Sequence, residues 1–206
     1  MRPRGVDAGY AIVDVVMGLV LFGLVIVAIY QIFIPAFALS HHINGRLAAQ
    51  QDARLAVDRV ARQLHETTLG VGRLRVYSAD TGCAGGYEGC IGFVTARSAC
   101  SGPFTLLNGA PDWQATIYIW RDTATDELRT RCNPATAFPA TRWPPILAPY
   151  AVIGRQVVAA SFTLLPEGNP QPNAIAMAIE ELSATGSRTG LQRTFFNQTV
   201  FVPKNR

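Results

Sequence analysis

From residue 10 to residue 39 the chain is apolar at nearly every position, and Asp14 is the one acid or base apart from the phenols of Tyr10 and Tyr30. As a helix, these roughly thirty residues would be about 45 Å long, more than the ~30 Å hydrocarbon core of a bilayer. The segment therefore predicts a membrane-spanning helix over residues 10–40. A cleaved secretory signal carries an apolar region of only about 7–15 residues, which this one exceeds. Arg2 and Arg4 lie before it, so the N-terminus is expected in the cytoplasm and the rest of the chain outside the membrane.

Beyond Pro35 the pattern turns amphipathic. Val57, Val60, Ala61, Leu64 and Thr68 recur at helical spacing, while Asp52, Arg54, Asp58, Arg59, Arg62 and Glu66 fall on other faces. Arg54–Asp58 and Asp58–Arg62 have the spacing of helical ion pairs. Gly70 and Gly72 are the expected stop. Residues 41–68 thus predict a stem helix continuing the apolar one, its stripe covered by a sheet.

The remainder, residues 69–206, reads as an exported head of short strands. Candidates are 74–77, 91–95, 104–107, 115–121, 128–131, 157–164, 174–181 and 199–202. Ile117, Tyr118, Ile119 and Trp120 form a β-rich apolar run, and residues 122–127 turn the chain into a second strand, which is a hairpin reading. The Pro-rich stretch 138–149 reads as a loop. The expected class is α+β: a long N-terminal helix packed on a mainly antiparallel sheet.

Composition sharpens this division. The chain is 49% hydrophobic and 16% charged, against about 25% charged in average globular chains, and the excess lies before residue 40. The formal charge is +4, carried mostly by scattered arginines with Lys204 as the lone lysine. Scattered charge argues against a dedicated nucleic-acid face. All four cysteines, Cys83, Cys90, Cys100 and Cys132, lie in the part expected to be exported, which points to disulfides. Three pairings are open. Spacing favours Cys83–Cys90, closing a Gly-rich loop, with Cys100–Cys132 joining distant segments. A zinc site is disfavoured because the spacings give no two close cysteine pairs.

Asp14 requires a reason, since a carboxylate in a membrane helix costs roughly 2.5–3.5 kcal/mol at the centre and less near an interface. One reading is an interfacial acid at the favourable end of the helix dipole. Another comes from its surroundings, Gly9-Tyr10-Ala11-Ile12-Val13-Asp14-Val15-Val16-Met17-Gly18-Leu19. Gly followed by an aromatic, three apolar residues and an acid resembles the class III signal of type IV prepilins. The resemblance implies a leader over residues 1–9, cut after Gly9 by a prepilin peptidase that then N-methylates Tyr10. It also implies that Asp14 pairs with a free N-terminal amine, commonly that of a neighbouring subunit. The family's acid is nearly always Glu, one methylene longer. Gly23 matches a position where related helices loosen during assembly, whereas the Pro that often closes that segment is Gln31 here.

The stretch from Asp52 to Leu64, and Ala28-Ile29-Tyr30-Gln31-Ile32-Phe33 before it, resembles a narrower group, the J-type (PilW/PulJ) minor pilins and pseudopilins. That implies a structural subunit of a type IV pilus-like or type II secretion filament, acting in assembly initiation or at the tip. Its implied partners are the peptidase, other minor and major pilins, and an inner-membrane assembly platform. The implied location is the inner membrane, with a single pass, and the periplasm or cell surface once assembled.

The sequence contains no nucleophile elbow, Walker loop, metal-protease helix or dinucleotide fingerprint, so no enzyme, cofactor or metal is expected. His41, His42 and His65 read as solvent or interface histidines. Asp122, Asp126 and Glu127 lack the Gly-punctuated pattern of a calcium loop and read as a solvated turn. The alternative function is a binding module whose exported head captures DNA or a surface.

Overall fold

The structure, a computed structural model, describes residues 7–67, 72–134, 138–144, 149–165, 174–183 and 192–201. One helix, α1 (Asp7–His65, 59 residues), leads the chain. Ten strands follow: β1 (Leu74–Tyr77), β2 (Tyr87–Thr95), β3 (Leu106–Leu107), β4 (Ala110–Pro111), β5 (Ala115–Asp122), β6 (Glu127–Asn133), β7 (Ala151–Arg155), β8 (Val157–Leu165), β9 (Ala174–Ser183) and β10 (Gln192–Phe201). The chain divides into two compact units, Met1–Asn44 and Gly45–Arg206.

In the first unit, α1 crosses the expected boundary between leader and membrane segment without a break, and Pro35 lies inside it. Its missing N–H leaves the Gln31 carbonyl without its helical donor. The class is mixed α+β, and all strand ladders among the described residues are antiparallel.

In the second unit, Ala53, Ala56, Val57, Val60, Ala61 and Leu64 of α1 are buried, extending the expected stripe one turn towards the N-terminus through two alanines. Alanine adds little to a hydropathy pattern, yet its small side chain lets a sheet approach the helix closely. Gly154 of β7 uses this closeness: a Cβ there would lie 3.2 Å from the Ala56 methyl. The helix ends at His65, before the expected 68. There Glu66 N–H bonds to the Gln63 carbonyl (3.3 Å) and Thr67 N–H to that of Leu64 (3.2 Å), tightening the last turn. Thr68 and Gly70 fall outside the described residues.

A five-stranded sheet, order β1-β2-β5-β6-β7, and a three-stranded sheet, order β10-β9-β8, share this core. Ile91, Phe93, Ile117 and Ile119 meet the helix stripe together with Phe162 of β8, Ile175, Met177 and Ile179 of β9, and Val200 of β10. With β3 and β4 as a separate two-stranded ladder, the described strands thus form two sheets around this core. The chain switches between them at Gln156, whose φ of 57° makes the corner between β7 and β8.

Alternate residues of the central strands face the other way. Cys90, Tyr118 and Trp120 join Tyr77 and Trp143 in a second, aromatic core. Trp143 stands edge-on to Tyr77, Tyr118 and Trp120 at centroid distances of 5.1, 5.6 and 6.0 Å. Part of the loop 138–149 thus roofs the sheet.

Several expected strand limits change. β2 begins at Tyr87 because it pairs with Asp122 beyond a bulge between Glu88 and Ile91. Residues 104–107 yield only the two-residue β3. Phe104 instead forms an isolated bridge with Arg97, and Thr105 N–H bonds to the Ala96 carbonyl. β10 begins at Gln192 and pairs along all of β9. β7 was not expected: it is short, contains a glycine and emerges from the Pro-rich stretch.

Candidate functional site

Gly9 and Tyr10 lie in the first turns of α1, and Asp14 follows Tyr10 by four residues, about one turn. Asp14 is exposed, and no hydrogen-bond or ion-pair partner accompanies it among the described residues. Every large apolar side chain from Ile12 to Leu39 is also open, between 38% and 69% exposed. Burying a side chain of this kind stabilises by about 1.5–3 kcal/mol, so covering the whole surface is worth on the order of tens of kcal/mol. Such a helix must be covered by lipid or protein. Among the described residues α1 is the one helix long and apolar enough to cross a membrane, with a mean hydropathy of 2.9 in its apolar window. A Cβ added at Gly18 or Gly23 would meet nothing within 4 Å, so packing within the chain does not explain either glycine.

His41 and His65 are exposed on α1; the His42 side chain lies outside the described residues. The expected helical pairs Arg54–Asp58 and Asp58–Arg62 do not close among the described residues. Holding two long exposed side chains together costs rotamer entropy comparable to the small Coulomb gain.

The head places its charges differently. Arg97 takes both Glu66 oxygens, each at 2.7 Å, linking the end of α1 to the chain after β2. Hydrogen bonding to Glu66 and its charge raise the Arg97 pKa, against a smaller desolvation effect. Arg121, only 6% exposed, donates to the Val157 carbonyl, Glu88 and Asp126. Arg129 holds Asp122 and Glu127 and lies 4.2 Å from the centre of the Tyr150 ring. Burial disfavours the Arg129 charge, but hydrogen bonding to Glu127 and the charges of Asp122, Tyr150 and Glu127 outweigh it, so its pKa is raised. The turn expected to be merely solvated is therefore fastened by two arginines. The alternation of Arg121 and Arg129 with acids across the hairpin was the available signal, but it does not reveal which pairs form.

Cys83 pairs with Cys90 and Cys100 with Cys132, at Cα separations of 5.9 and 6.0 Å. The first bond closes the loop leading into β2; the second ties the short 3₁₀ turn Ser98–Cys100 to β6. No group of three or more His, Cys, Asp or Glu side chains suited to a metal ion occurs among the described residues. The indole N–H groups of Trp120 and Trp143 are buried and have no acceptor among the described residues.

These features define an α+β protein with one exposed apolar helix and a disulfide-bonded antiparallel head. No family model, curated protein or solved structure matches the chain.

Proposed function

We propose that the chain is a minor pilin or pseudopilin, a structural subunit of a type IV pilus-like or type II secretion filament that acts in assembly initiation or at the tip. The observation that carries this reading is Asp14, a carboxylate with no partner among the described residues, on a helix whose described apolar side chains from Ile12 to Leu39 are open. A charge in an apolar phase that meets its opposite only on a correctly docked neighbour fixes register. Processing after Gly9 creates such an opposite charge at the amine of Tyr10. Gly18 and Gly23 support close approach of another helix, because small residues let helix backbones come together in an apolar phase.

On this reading the prepilin peptidase, other pilins and the inner-membrane assembly platform are the partners. The protein begins as a single-pass inner-membrane protein with a cytoplasmic N-terminus and an exported head. The chemistry of the head is structural: two disulfides and ion pairs, suited to an oxidising exterior.

Intact mass of membrane-purified protein tests the proposal. Loss of residues 1–9 with one methyl group added at Tyr10 is expected, and an intact Met1 terminus would sink it. Asp14→Ala should spare cleavage more than filament formation; an equal filament yield would reduce Asp14 to an interfacial acid.

A further inference from the structure

The head has a groove between α1 and β7. Asp52, Leu55 and Arg59 form one wall, and the run from Val152 to Arg155 forms the other. Arg59 and Ile153 also line an adjoining hollow that takes in Arg62. Successive side chains of an extended strand alternate between faces. A groove touching every residue of that run must therefore follow the edge of β7 rather than cover one face.

That edge is free. β7 is the outermost strand of the five-stranded sheet, and its ladder is to β6. Among the described residues no other backbone hydrogen bond reaches it. Unpaired strand N–H and C=O groups form a template for one more strand.

Among the described residues Asp52 is the one acid of the groove, and with Glu66 of the adjoining hollow held by Arg97 the lining stays net positive, which favours an acidic occupant. Arg97 is already taken by Glu66, but Arg59, Arg62 and Arg155 have no ion-pair or hydrogen-bond partner among the described residues. Leu55, 52% exposed, offers apolar contact between them. A nucleic-acid backbone would satisfy the guanidinium groups but cannot complete a β ladder. An acidic polypeptide satisfies both.

We propose that this groove docks an extended acidic segment of a partner protein, added as a strand beside β7 with its carboxylates on Arg59, Arg62 and Arg155. The inference stands whether or not the chain is a filament subunit; if it is, the partner is a neighbouring subunit of different sequence.

The test uses the full chain in non-ionic detergent and a fluorescent peptide of about eight residues, a typical strand length, alternating Glu and Val. Saturable binding is expected, weakened about tenfold or more by Arg59→Glu with Arg62→Glu. Alternate N-methylation of the peptide should weaken binding similarly, because it blocks the ladder, and a Lys-for-Glu peptide should not bind. Absence of saturable binding, equal affinity for the N-methylated peptide, or indifference to the arginine changes would overturn the proposal. So would displacement by a single-stranded oligonucleotide that binds more tightly and depends on the same arginines. All three arginines are exposed, so melting temperature and far-UV circular dichroism should be unchanged. Arg155→Glu supplies a second, separate variant if the double one does not fold.

Discussion

Tyr77 and Tyr118 hold the two backbone polar groups of one residue. The Tyr77 hydroxyl donates to the Ala140 carbonyl at 2.7 Å, and Ala140 N–H donates to the Tyr118 hydroxyl at 3.0 Å. Trp143, three residues further on, packs edge-on against both rings. The two phenols thereby fasten the loop over the aromatic core, since the fastened backbone groups no longer need water.

Tyr77→Phe should cost about 0.5–1.5 kcal/mol by chemical denaturation, the usual net value of one hydrogen bond. It should also alter the alkaline limb of stability. Burial, the neighbouring Tyr118 and a hydrogen bond to it raise the Tyr77 pKa well above its ordinary 10.0, despite an opposing effect of Arg75. The folded state therefore keeps a proton that the unfolded chain releases. That stabilising term is complete below pH 10 and is lost as pH rises through the folded pKa. Denaturation midpoints measured from pH 9 upward should fall less steeply in Tyr77→Phe than in the parent; identical slopes would remove Tyr77 from this role.

Gly89 should tolerate no side chain. Its φ is 55°, and a Cβ would lie 2.5 Å from the Ala160 carbonyl oxygen, where β2 crosses β8. Backbone atoms cannot yield as a flexible side chain can, so Gly89→Ala should destabilise by more than about 1 kcal/mol from the left-handed backbone alone. Thermal unfolding measures this. Gly72→Ala shares the positive φ but has open space around it, which isolates the clash.

Arg121→Gln should destabilise more than Arg54→Gln. Arg121 is 6% exposed and its loss strands the Val157 carbonyl as well as two carboxylates. Glu88 and Asp126 are about half exposed and can rehydrate, so the expected loss is about 2–3 kcal/mol rather than that of a fully buried pair. Arg54 is exposed, so its change should lie within about 0.5 kcal/mol.

The two disulfides should differ in worth. The Cys100–Cys132 bond spans a sequence separation of 32 and the Cys83–Cys90 bond one of 7. Chain entropy alone assigns roughly 3–4 kcal/mol to the longer closure and roughly 2–3 to the shorter. Paired Cys→Ser variants compared by urea unfolding should follow that order. The reverse order would mean that packing of Cys90, fully buried in the aromatic core, outweighs loop length.

Periodicity alone located the long helix and the hydrophobic stripe from Val57 to Leu64, because a helix facing one sheet must repeat its apolar residues every turn. It also located β1 and the hairpin of β5 and β6, where β-rich runs flank a polar turn. The unbroken apolar run and the position of Asp14 within it are likewise properties of the chain itself. The Gly9–Tyr10 junction, on which the proposed processing rests, belongs to the same local string.

Other features depended on where distant segments meet. That Tyr118 and Trp120 are buried on the face opposite Ile117 and Ile119 requires a roof supplied by Trp143, and no local pattern specifies what covers a strand. β7 exists because β6 offers it a ladder, and Gly154 serves there to let it approach Ala56. The same long-range pairing decides which carboxylates Arg121 and Arg129 hold, and leaves Arg59 and Arg155 along one groove with Arg62 in the hollow beside it. Sequence sets the periodicities because they arise from neighbours along the chain; the partners of each face are set only when segments many residues apart compete for the same surface.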